Sequence, residues 1–227
     1  MYFLVNEKKK IIFGWSAKCG CSHIKNIFRF LENGKMNNKI HEKKDCGKIP
    51  NNIEEYITII ITRNPYKRLI SGFLDKYSEK GQYRYLWKDK ILSFSKFVNE
   101  LVKKDNKTIE KHHFTPQTTE NFNKKILMSK IFKIYDISKI DYKFIEKIYN
   151  IKINPCVINR KFGHERDIKK NILEKYVYDL PIEDYINYNI NYNFFYNKDL
   201  KKKVFEFYIN DFNFFQEQGI DYLNEQL

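Results

Sequence analysis

Acidic residues are the scarce class in this 227-residue sequence: 28 Asp and Glu stand against 42 Lys and Arg, a formal net charge of +14. The imbalance points to an anionic partner, whether nucleic acid, acidic lipid, phosphorylated cofactor or polyanionic substrate, without choosing among them. Part of it is plain composition, since Lys, Asn and Ile recur without pattern, as in Lys201-Lys202-Lys203. Long apolar runs are missing too. No stretch approaches the roughly 20 residues that cross a bilayer, and the opening MYFLVNEKKKIIFGW lacks both a signal-peptide core and a small-residue cleavage site. The expectation is a soluble chain, cytoplasmic or otherwise, with no transmembrane segment. Cysteine is sparse, with four at positions 19, 21, 46 and 156. Cys19-Gly20-Cys21 has no second ligand pair at a matching spacing, which argues against a zinc site, and the uneven spacing argues against a disulfide framework. No metal is expected. Neither a repeat nor a clear linker is visible, so residues 1–227 are expected to form a single domain. Apolar residues are not scarce: at 42% hydrophobic and 17% aromatic, the composition excludes disorder along the whole chain.

Two strand–loop–helix units are legible. Lys10 to Trp15 reads as a buried strand, Ser16 to Ser22 as a tight turn, and Ile24, Ile27, Phe28 and Leu31 as the apolar stripe of a helix capped by Ser22 and stopped at Asn33-Gly34. Tyr56 to Thr62 is a β-branched run suited to the centre of a parallel sheet. Pro65 then opens a helix that buries Tyr66, Leu69, Ile70, Phe73 and Tyr77, with Arg68, Ser71 and Asp75 off that face. Further on, the pattern predicts a helix around Phe94 to Leu101, a loop at Lys111 to Gln117 and a strand at Ile131 to Tyr135. A short helix at Tyr142 to Tyr149 and one final helix from near Asp199 through Phe212 complete the reading, while the Tyr- and Asn-rich stretch 171–193 resists assignment. The alternation of strands and helices indicates an α/β fold.

Two loops can carry chemistry. Small residues between a strand and a helix can aim backbone N–H groups at an anion, and Lys18 adds a charge. The spelling is not that of a nucleotide triphosphatase loop, whose Lys follows its last Gly; here Lys18 precedes Gly20. On pattern alone, anion binding and a structural β–α turn both remain open. Arg63 sits at the C-terminal end of a strand, where open α/β sheets place ligands. With Ser71 it can supply a guanidinium fork and a hydroxyl to one phosphate, or it can pair with a carboxylate while Ser71 faces solvent.

The motifs Lys18-Cys19-Gly20-Cys21-Ser22 and Arg63-Asn64-Pro65-Tyr66-Lys67-Arg68-Leu69-Ile70-Ser71-Gly72-Phe73-Leu74-Asp75-Lys76 resemble those of carbohydrate sulfotransferases of the chondroitin/dermatan type. Those enzymes use 3′-phosphoadenosine 5′-phosphosulfate (PAPS). Two weaker matches extend the resemblance: His113-Phe114-Thr115-Pro116-Gln117 and Tyr208-Ile209-Asn210-Asp211-Phe212-Asn213-Phe214-Phe215. It implies a P-loop-like three-layer fold with a central parallel sheet flanked by helices. It also implies PAPS as donor, 3′-phosphoadenosine 5′-phosphate as product, and a carbohydrate or glycolipid acceptor, acidic ones included. The loop Lys18, Cys19, Gly20, Cys21 and Ser22 would hold the phosphosulfate, with His23 close to it, and Arg63 and Ser71 the 3′-phosphate. Lys18 would stabilise the leaving group. For the base the resemblance directs attention between the first helix and second strand, to His41 or Glu42, with His113 or His112 as rivals. Arg160, Lys161 and Arg166 form a late basic stretch that either touches the nucleotide or is solvated. Related enzymes work in the Golgi behind a membrane anchor, so a lumenal origin requires an anchor to have been removed. The competing readings are a basic nucleic-acid-binding module and a nucleotide-binding kinase-like enzyme. No nucleic-acid-binding motif supports the first, so no nucleic acid is expected as partner, and the missing Gly-x-x-x-x-Gly-Lys-Ser/Thr disfavours the second.

Overall fold

Ile11 to Trp15 is an unbroken apolar run, and every residue of it is buried, as in a strand covered on both faces. The computed structural model describes residues 1–35, 47–87, 91–103, 105, 107–159 and 171–227. Its strands are β1 (Tyr2–Asn6), β2 (Ile11–Trp15), β3 (Ile57–Thr62) and β4 (Ile131–Asp136). Its helices are α1 (Cys21–Asn33), α2 (Pro65–Lys76), α3 (Phe94–Leu101), α4 (Lys111–Phe114), α5 (Glu120–Ile126), α6 (Tyr142–Tyr149), α7 (Pro155–Asn159), α8 (Ile182–Tyr185), α9 (Lys198–Phe207) and α10 (Ile209–Glu217).

The sheet has the order β1-β2-β3-β4. β2, β3 and β4 run parallel, with Trp15 opposite Ile61 and Thr62 opposite Asp136. β1 was not expected; it pairs antiparallel with β2 as an edge strand. The hairpin between them turns on Lys10, whose φ of 54° is left-handed, and on Asn6 Oδ1, which accepts from Lys9 N at 2.7 Å. The architecture is thus α/β, a mostly parallel four-stranded sheet with helices in its crossovers.

The chain divides into two compact units, Met1–Arg63 with Gln117–His164, and Asn64–Pro116 with Glu165–Leu227. The first unit holds the sheet. Its core joins Ile11, Phe13 and Trp15 of β2 and Ile59 and Ile61 of β3 to Ile24, Ile27 and Leu31 of α1 and Ile145 and Tyr149 of α6. These are alternate residues of the strands and one stripe of each helix, the two periodicities that bury a single face.

The second unit is built on aromatic rings. Phe97 stands 5.0 Å from Phe73, 5.1 Å from Tyr77 and 5.0 Å from Phe114, centroid to centroid. Offset and edge-on contacts at such spacings are favourable beyond the area they bury. The expectation that Arg68 lies off the buried face fails, since it is 2% exposed. Its guanidinium donates to Thr115 O at 2.9 Å and His113 O at 3.0 Å, while the Tyr208 hydroxyl donates to Phe114 O at 2.7 Å. Three successive carbonyls around the end of α4, which the helix itself leaves without donors, are thereby satisfied. Lys111–Phe114 is accordingly helical rather than a loop.

Two other boundaries differ from expectation. The first helix is capped by Gly20, not Ser22, because Gly20 adopts φ 75° and turns the chain into α1 two residues earlier. The final helix is interrupted at Tyr208, giving α9 and α10. No Pro or Gly marks the break; it falls where the tyrosine hydroxyl is fastened to Phe114.

The role of Arg68 is open to measurement by urea unfolding. R68M keeps the aliphatic stem but removes the Arg68 donors from the His113 and Thr115 carbonyls, and we expect a loss of about 3 kcal/mol; a loss under about 1 kcal/mol contradicts this account of α4.

Candidate functional site

The turn between β2 and α1 is set by backbone geometry. Cys19 N donates to Ser16 O at 3.1 Å, closing the loop, and Ile24 N donates to Gly20 O at 3.0 Å, starting the helix. Lys18 and Gly20 both have left-handed φ, 68° and 75°. For Gly20 this costs nothing, and a Cβ there would lie 2.5 Å from Ile137 Cδ1. For Lys18 it is a strained conformation of the kind that collects at functional sites. The cap residue Gly20 offers no side-chain acceptor to the first turn of α1, the end of the helix where its dipole favours an anion. Ser16 Oγ, at the start of the loop, is buried with no hydrogen-bond partner among the described residues.

Arg63 follows directly on β3 and meets this loop, its Nη1 donating to Lys18 O at 3.1 Å. Two expected site residues from distant parts of the sequence thus share one corner of the first unit. Gln117, which is 2% exposed, organises it. Its Oε1 accepts from Cys19 Sγ at 3.0 Å, Thr62 Oγ1 at 3.0 Å and Arg63 N at 3.2 Å, and its Nε2 donates to Arg63 O at 2.9 Å. Gln117 had been visible only as the last letter of a motif; nothing local in the sequence announces its partners.

The remaining expected residues fall as follows. Cys21 and Ser22 are half-buried in the first turn of α1, Sγ and Oγ 4.0 Å apart. His23 turns its ring to α6, where Nε2 and the Tyr142 hydroxyl share a 2.7 Å hydrogen bond. Ser71 is half-buried on α2, in the second unit. His41 and Glu42, like Arg160, Lys161 and Arg166, lie outside the described residues. Among the described residues, Cys19, Cys21 and Cys156 form no disulfide. Among the described residues, no group of three or more His, Cys, Asp and Glu is arranged to hold a metal ion. None of their helices is long and apolar enough to cross a membrane.

His113 belongs to the second unit and is well organised there. Glu110 caps α4, its carboxylate accepting from His112 N at 2.6 Å, His113 N at 3.0 Å and His113 Nδ1 at 2.6 Å. A proton on Nδ1 leaves the lone pair on Nε2. Burial pushes the His113 pKa below its ordinary 6.5, Glu110 opposes that shift, and Lys76 and His112 add to it. The Glu110–His113 pair is the second feature not anticipated from sequence. Its trace there is a carboxylate three residues before the histidine.

The sequence matches the family model described as "Sulfotransferase family" over residues 1–216. No curated protein matches the chain. No solved structure matches it either.

The two half-buried imidazoles make stability depend on pH. Burial lowers the pKa of His23 as well as that of His113. Below the ordinary value of 6.5 the unfolded chain therefore binds more protons than the folded one. Stability is full above that value and is lost as pH falls through the folded pKa values. The urea midpoint is expected to drop between about pH 7.5 and about pH 5.5, and H23Q is expected to flatten that dependence. An unchanged slope in the H23Q/H113Q double variant contradicts it.

Proposed function

The chain belongs to the sulfotransferase family, and from that premise we propose that it moves a sulfuryl group from PAPS to a hydroxyl of a carbohydrate or glycolipid, in the manner of the chondroitin/dermatan enzymes. The whole chain acts as one catalytic domain in this reading. The observation that carries it is the bond from Arg63 Nη1 to the backbone carbonyl of Lys18, which brings together the two residues whose charges are assigned to the two anionic ends of the nucleotide.

The residues present suit such a donor. Lys18 and Arg63 supply charge, Ser22 a hydroxyl, and the start of α1 supplies N–H groups and dipole. The buried Ser16 hydroxyl, which has no partner among the described residues, is a further donor at the same loop. The loop serves as a P-loop does, with its lysine placed earlier. When bound, the donor supplies a sulfuryl group already activated by a phosphate leaving group. Lys18 and the Cys19–Ser22 amides then offset charge that grows on that phosphate, and the resemblance assigns Arg63 and Ser71 to the 3′-phosphate.

Transfer makes a bond from the acceptor oxygen to sulfur and breaks the bond from sulfur to the phosphate oxygen. The acceptor's proton must leave, and among the bases the resemblance offers, His41, Glu42, His112 and His113, we take His113 through its Nε2. Glu110 holds the opposite nitrogen, and burial keeps the imidazole neutral in the physiological range.

Calorimetric titration with 3′-phosphoadenosine 5′-phosphate tests the reading. The wild-type chain is expected to bind tighter than about millimolar, with K18A and R63A each weakening binding roughly tenfold or more. Binding no tighter than that, indifferent to R63A and S71A, overturns it. H113A is expected to keep nucleotide binding, to lose turnover, and to lose with it the fall in turnover that the wild type shows on acidification. If H41A shows that phenotype and H113A stays active, the base is His41.

A further inference from the structure

We propose that Gln117 is a positioning residue for the donor nucleotide, its carboxamide standing in for the strand that ends beside Arg63. The inference rests on the reading of the Lys18–Arg63 corner as the donor site.

In β3 the backbone groups of alternate residues point to opposite neighbours. Ile57 N donates to Lys10 O at 2.8 Å, so its side of the strand faces β2. Arg63, six residues on, has the same parity. Thr62, of the other parity, is met on the β4 side, where Ile137 N donates to its carbonyl at 2.9 Å. On the β2 side no strand remains. Trp15, the last residue of β2, pairs with Ile61, and the next residue, Ser16, gives its carbonyl to Cys19 N to close the loop. Arg63 would be left with a donor and an acceptor facing a strand that has already turned away. Gln117 fills both roles, accepting from Arg63 N and donating to Arg63 O. Among natural side chains only Asn and Gln present an acceptor and a donor in this fork without first taking up a proton.

The same oxygen also takes the Cys19 thiol and the Thr62 hydroxyl. One buried amide therefore fixes the backbone that aims the Arg63 side chain and the loop residue that follows Lys18. Interactions held in place before binding need no reorganisation on binding. Gln117 need not touch the nucleotide; it acts through Arg63 and Cys19.

Two variants separate this role from a structural one. Q117A removes both halves of the fork. Q117E keeps the size and the three accepting contacts but sets an oxygen against Arg63 O. Amide hydrogen exchange at Arg63, read without nucleotide, is expected to be slow in the wild type and at least about tenfold faster in Q117A, with Q117E close to wild type. Calorimetry with 3′-phosphoadenosine 5′-phosphate at neutral pH is expected to show affinity roughly tenfold weaker in both variants.

The pH profile of Q117E carries the decision. As pH falls, the carboxyl introduced by Q117E takes a proton and can again donate to Arg63 O, so its affinity relative to wild type recovers, whereas that of Q117A does not. The charged and titratable groups around it on the loop and at the end of β3 are Lys18, Cys19 and Arg63. The ratio to wild type at each pH removes the nucleotide's own titration. Wild-type affinity in both variants, or a Q117E ratio that does not change with pH, overturns this inference alone. Absence of nucleotide binding by the wild-type chain overturns the reading beneath it.

Discussion

β2 stops before β3 does, and the chemistry of the first unit depends on that inequality. Trp15 pairs with Ile61, yet β3 continues to Thr62 and delivers Arg63 beyond the end of its neighbour. A strand as buried as β3 cannot leave such groups unbonded without a cost of about 1–3 kcal/mol each. The shortfall is met by a side chain from far along the sequence, Gln117, while the backbone released from β2 folds into the Ser16–Gly20 turn. The end of the sheet thus becomes a place where a loop, a helix start and an arginine converge. Ligands of open α/β sheets collect at such ends for this geometric reason.

The second unit solves a comparable problem with different residues. α4 is only four residues long, too short to hold itself by propagation. It persists because Glu110 takes the N–H groups at its start while Arg68 and Tyr208 donate to the carbonyls at its end. The carboxylate that caps it also orients the imidazole of His113. The cap of α4 and the partner of the proposed base are therefore one carboxylate.

Much of this was legible in the sequence where one period settles the matter. β2, β3 and β4 are short β-branched or aromatic runs, and α1, α2, α3 and α6 carry clear apolar stripes. The family motifs located Lys18, Arg63 and the His113–Gln117 stretch. What was not legible depends on partners distant in sequence. Arg68 looked solvent-facing by helical position, but its charge is satisfied by carbonyls 45 and 47 residues away. The break at Tyr208 has no local breaker, since its anchor is Phe114, 94 residues earlier in the chain. Gln117 and Cys19 lie 98 residues apart, so the motif could name the glutamine but not its work. β1 was overlooked because a five-residue apolar start has no period long enough to read.

The central claim is that the corner formed by the Ser16–His23 turn and Arg63 receives the donor nucleotide. Nuclear magnetic resonance of the isotope-labelled chain, titrated with 3′-phosphoadenosine 5′-phosphate to about millimolar concentration, tests it residue by residue. The account predicts saturable shifts of the backbone amides from Ser16 to His23 and of Arg63, with Cys19 among the largest. Saturation that leaves these amides unmoved while others shift would contradict it.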